Sequence, residues 1–129
     1  MTNDQKDSMF TLLYALVLID KRVLKVEADQ FFSLLEAYLI RIEPIDYLQA
    51  KAQISNWFVP NYKKVLSEMK SPSRDDYLRE HIENLKDVEE RQDIFDMMNI
   101  IAIADNEFHA AEKQFLEKVA LIWNVGTAS

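Results

Sequence analysis

The sequence predicts an all-α fold, a single-domain bundle of about six or seven helices spanning residues 1–129. Three observations point there. The chain holds one glycine and three prolines, too few for the turns that a β or α/β protein needs. Its apolar residues recur at helical spacing in segment after segment, with no strand-like alternation. Apolar residues make up 49% and charged residues 29%, the balance of a globular domain with a proper core.

Taken in order, Asp7 or Ser8 is the expected cap of a first helix that runs to about Ile19. Met9, Phe10, Leu12, Leu13, Leu16 and Val17 wrap most of its circumference, which predicts a central, buried helix. A second helix, about Val26 to Arg41, carries Phe31, Leu34, Leu35, Tyr38 and Leu39, and Pro44 follows its end. A third runs from about Ile45 or Asp46 to Phe58 with Leu48, Ile54, Trp57 and Phe58 as buried candidates. Pro60 is expected to end it, leaving Asn61 to Met69 as a short fourth helix. The segment Ser71-Pro72-Ser73-Arg74-Asp75-Asp76 reads as a linker rich in capping residues. A fifth helix covers Tyr77 to Leu85, and a long one covers about Val88 to Ala104, whose second half is apolar on nearly every side. The last runs from about Ala110 to Trp123, with Phe115, Leu116, Val119, Ile122 and Trp123 as its apolar face and Gly126 as its stop.

The formal charge of −7 argues against nucleic acid, whose binders carry a basic stripe, and against docking on an anionic membrane. Cysteine is absent, which excludes disulfides, zinc thiolates and thiol catalysis. The apolar run Met9 to Ile19 is shorter than the roughly 20 residues that span a bilayer. It has an acidic leader and lacks a small-residue cleavage site, so it is read as a core helix of a cytoplasmic protein.

Two elbows organise the chain. Asp105-Asn106-Glu107-Phe108-His109-Ala110-Ala111-Glu112 links an apolar helix to an amphipathic one, and Asp20-Lys21-Arg22-Val23-Leu24-Lys25-Val26-Glu27 does the same near the N-terminus. In both, aspartate and glutamate stand seven positions apart with an apolar residue three after the aspartate. Setting residue 13 against residue 98 aligns Asp20 with Asp105, Val23 with Phe108, Glu27 with Glu112, Phe31 with Leu116 and Leu34 with Val119. This is the pattern of a degenerate internal pseudo-repeat.

Ile101-Ala102-Ile103-Ala104-Asp105-Asn106-Glu107-Phe108, with Glu112 and a final amphipathic helix, resembles the signature of the TerB-like (tellurite resistance TerB) domain family. The likeness is best over about Ile82 to Val125 and weaker over Phe10 to Glu36. It implies a small all-α domain whose acidic elbow residues form a negative patch proposed to bind metal. Carried over by position, the metal residues are Asp105 and Glu112, then Asp20 and Glu27. The usual glycine after the aspartate is replaced by Asn106 in one elbow and Lys21 in the other. Asparagine tolerates the left-handed turn better than lysine, and Lys21 adds a positive charge beside Asp20.

Read without the family, the glutamates are also accounted for as helix caps at the dipole's positive end. The aspartates each close an apolar helix, where the dipole disfavours a carboxylate. Lys21 and Arg22 compensate Asp20. Near Asp105 the chain offers Asn106, Glu107, His109 and Glu112, with Lys113 the first cation. An oxygen-donor set without thiols suits Ca²⁺ or Mg²⁺, with His109 as a ligand or an exposed cap residue, although the spacing is not that of an EF-hand. No Glu-x-x-His pair precedes His81 or His109, no glycine loop exists for phosphate, and no Ser/His/Asp arrangement is suggested. Glu89, Glu90, Asp93 and Asp96 read as a solvated face, and Trp57, Phe58 and Tyr62 as corner packing or a partner patch. The expectation is a non-enzymatic domain with a cation-binding elbow and a stress-response or metal-associated role. The alternative is an interaction module whose acidic surface meets a protein partner without metal.

Overall fold

Thr2, rather than Asp7 or Ser8, caps the first helix. Its Oγ1 accepts from the Gln5 amide at 3.1 Å while Gln5 Oε1 accepts from the Thr2 amide at 2.9 Å, so two otherwise orphaned donors are satisfied reciprocally. The computed structural model describes residues 1–19, 25–104 and 110–126, and within them six helices follow one another: α1 (Asn3–Leu18), α2 (Lys25–Ile42), α3 (Tyr47–Met69), α4 (Arg74–Asn84), α5 (Arg91–Ala102) and α6 (Ala110–Trp123). The all-α fold is as the sequence predicts.

Helix α1 is the axis. Every residue from Ser8 to Ile19 is buried, and α1 packs on α2, α3, α4 and α5. Helix α2 also lies against α3 and α5, and α6 against α4 and α5. Each large apolar side chain buried in this arrangement contributes about 1.5–3 kcal/mol. An aromatic corner closes one side: Tyr14 packs edge-on to Phe58 and Trp57, and Phe58 stacks on Tyr62 at 5.2 Å. Trp57, Phe58 and Tyr62 therefore belong to corner packing.

Five local expectations are corrected. Pro60 does not end a helix; α3 runs through it to Met69. The proline withholds one donor, from the carbonyl of Asn56, and both residues lie on the exposed side where water can take that bond. Leu48 is 74% exposed, because it sits on the solvent side of α3, opposite the face of Ala50, Ile54 and Trp57. Helix α4 begins at Arg74, three residues inside the expected linker, and α5 begins at Arg91 after the Lys86–Glu90 segment turns. Ile100 and Ile103 are exposed, so α5 is not covered on every side near its end.

The two halves of the chain share a register. Helices α2 and α6 begin at Lys25 and Ala110, the same offset of 85 residues that aligns Asp20 with Asp105. Under that offset buried positions meet buried positions: Met9 with Ile94, Leu13 with Met98, Leu16 with Ile101, Val17 with Ala102, and Tyr38 with Trp123.

Candidate functional site

Glu27 and Glu112 obey the same register and are the third residues of α2 and α6. Both are 0% exposed. Their position is the one from which a carboxylate faces the free amides and positive dipole end of its helix. Complete burial goes further than a surface cap needs, since a carboxylate taken out of water requires donors or positive charge around it. Ile19, at the end of α1, and Ala111, beside Glu112, line one groove of about 240 Å³ together with Leu78 and Phe115. A residue flanking each elbow thus lines the same groove. Asp20, Asp105, Asn106 and His109 lie outside the described residues. Among the described residues no three His, Asp or Glu side chains gather as a metal-binding cluster.

A larger groove, about 780 Å³, opens between α1, α3 and α4. Asp4 and Asp7 line it from α1, Lys64 and Glu68 from α3, and Asp76, Tyr77, Glu80, His81 and Asn84 from α4. Trp57 Nε1 donates to Asp7 Oδ1 at 2.7 Å, fixing that carboxylate at the rim.

The α4 residues of this groove join a polar seam with α1. Ser8 and Thr11, the buried hydroxyl residues of α1, face α4. Ser8 Oγ is 2.9 Å from His81 Nδ1 and accepts from Asn84 Nδ2 at 3.2 Å. Tyr77 is hydrogen-bonded to Thr11, and burial followed by the nearby charges of Glu68 and Asp7 pushes its phenol up to about 12. Burial lowers the His81 imidazole below its usual value, against the opposing pull of Asp7 and Glu80 and with a further push from Lys64. Tyr77, His81 and Asn84 are spaced i, i+4, i+7 on α4, and Ser8 and Thr11 are i, i+3 on α1, so each set shares one helix face. Sequence reasoning passed over this seam. The available signal was a pair of hydroxyls inside an otherwise apolar run.

The acids of α5 are engaged differently. Asp93 takes a hydrogen bond from Tyr38 at 3.3 Å and pairs with Arg41 at 3.1 Å, while Asp96 accepts from Gln92 at 2.9 Å. Desolvation, reinforced by Asp93 and Glu90, raises the Tyr38 phenol to about 12.

Among the described residues no helix is long and apolar enough to cross a membrane. No curated protein and no solved structure matches the chain. The family model described as Tellurite resistance protein TerB matches residues 6–129, nearly its whole length.

Proposed function

Because the chain belongs to the tellurite resistance TerB family, we propose that it is a non-enzymatic, cytoplasmic module whose elbow carboxylates take up a divalent cation in a stress-associated role. The observation that carries this reading is the matched, complete burial of Glu27 and Glu112 at equivalent helix starts. One buried glutamate at a helix start is accounted for by capping. Two in register, with their elbows' flanks on a common groove, suit a place where negative charge is collected for a purpose. Asp105 and Glu112 would hold the ion, with Asn106 and His109 beside them. Asp20 and Glu27 form the weaker set, since Lys21 and Arg22 adjoin Asp20. The donors are oxygens without thiolate, which fits a hard cation such as Ca²⁺ or Mg²⁺. A bound ion would be held by Asp105 and Glu112 and would supply positive charge beside them.

Thermal melting with added Ca²⁺, Mg²⁺ or Mn²⁺ against chelator tests the proposal. A ligand that binds only the folded state stabilises it by about 2.7 kcal/mol at 100 times its dissociation constant. The wild type is expected to gain stability and Asp105→Asn to lose the gain. No gain in the wild type, or the same gain in Asp105→Asn, refutes the cation reading.

The acidic groove between α1, α3 and α4 favours a second reading, a docking site for a basic protein segment that works without metal. A lysine- and arginine-rich peptide should then bind equally well in chelator, with affinity that falls as salt screens the carboxylates.

A further inference from the structure

We propose that α4 is a proton-released strap, docked on α1 while His81 is neutral and loosened from it when the imidazole gains a proton. The argument starts from Ser8. Its side chain is completely buried, and Asn84 Nδ2, which can only donate, already occupies one acceptor site on its oxygen at 3.2 Å. With the neutral ring in its Nε2–H form, the hydroxyl proton goes to His81 Nδ1 at 2.9 Å, and the serine oxygen both gives and takes a bond. Protonation turns Nδ1 into a donor aimed at the same oxygen. The serine proton must then find another acceptor within a buried site, and a full charge is placed on a ring that is only half open to water.

The groups around the ring do not cancel this effect. Asp7 on α1, which also accepts from Trp57 Nε1, and Glu80 on α4 favour the imidazolium. Lys64 on α3 opposes it. Asp4, Glu68 and Asp76 stand further along the same groove, and Tyr77, edge-on to the ring at 5.0 Å, stays neutral because its phenol titrates near 12. Burial dominates, and the imidazole titrates below its usual value.

Helix α4 also buries little apolar surface of its own. Leu78 and Ile82 are its buried apolar residues, and its N-cap, Ser73, makes no side-chain capping bond. Its C-terminal end is tied to α6 by Trp123 Nε1 donating to the Ile82 carbonyl at 2.7 Å. Release would therefore start from the Arg74 end and would open the groove that Tyr77 and His81 line.

The test joins a proton NMR titration of the His81 ring to amide hydrogen exchange of α4, read as protection factors between pH 7.5 and 5.5, where carboxylates stay ionised. The expected result is a His81 titration below about 6.5 and an α4 protection that falls relative to α3 and α5. The fall is bounded at about tenfold per pH unit between the docked and released pKa values. His81→Gln, neutral throughout, should flatten that dependence, and Ser8→Ala should bring the His81 titration closer to its ordinary value. A wild-type His81 that titrates at or above about 6.5, an α4 protection that tracks α3 and α5, or a fall that persists in His81→Gln overturns the proposal. The wild-type measurements decide it even if a variant does not fold.

Discussion

Helices α1 and α5 occupy equivalent places in the two halves of the chain, and they differ where the α3–α4 segment covers only the first. Met9, Phe10, Leu12, Leu13, Leu16 and Val17 meet buried apolar partners under the 85-residue offset, whereas Ala15 and Leu18 meet the exposed Ile100 and Ile103. At the polar positions, Ser8 and Thr11 of α1 correspond to Asp93 and Asp96 of α5. The hydroxyls are buried beneath α4. Asp96 is exposed and Asp93 is half-buried against Tyr38 and Arg41. A shared core tolerates sequence drift so long as volume is kept, whereas the polar positions follow whatever covers them. Once α4 lies over a helix, carboxylates give way to small groups that α4 can satisfy with hydrogen bonds.

The largest effect is expected when the second half's residue is placed in the first. Thr11→Asp places a carboxylate under α4 beside the Tyr77 hydroxyl, and is expected to cost about 3–5 kcal/mol in urea unfolding at neutral pH. Next, Leu16→Ala and Ile101→Ala, equivalent positions that are both 0% exposed, should each cost about 2–5 kcal/mol. Equal losses support the common register, and a loss confined to one half denies it.

A smaller effect is expected from pH. The folded His81 titrates below its unfolded value, so between the two the unfolded chain binds more protons. His81 therefore withdraws stability as pH falls through the unfolded value, and the loss levels off below the folded one. His81→Gln should remove that part of the slope in urea titrations run from pH 7.5 to 5.5. The smallest effect belongs to the reciprocal exchange: Asp96→Thr, on an exposed site of α5, should change stability by about 0.5 kcal/mol or less.

The helical fold was legible because glycine is nearly absent and the apolar spacing is regular, properties local to the chain. The central position of α1 was legible too, from Met9 through Val17. The expected end of α3 at Pro60 fails because the packing of its buried face on α1 and α2 offsets the proline's cost of about 3 kcal/mol, and that packing is a property of the assembled bundle. Leu48 was misplaced for the same reason, since its side of α3 is settled by which neighbours arrive. The elbow glutamates were found by spacing, whereas their complete burial needed the packing of both halves. The Ser8–His81–Asn84 seam joins residues more than 70 positions apart, and only the docking of α4 on α1 brings them together.

The matched elbows give the molecule its proposed role, and calorimetric titration of Ca²⁺, then Mg²⁺, into chelator-treated protein tests that role most directly. Saturable binding of at least one cation by the wild type is expected, abolished in Glu112→Gln with its helical signal intact. No saturable heat with either cation, or an isotherm unchanged in both Glu112→Gln and Asp105→Asn, would contradict it.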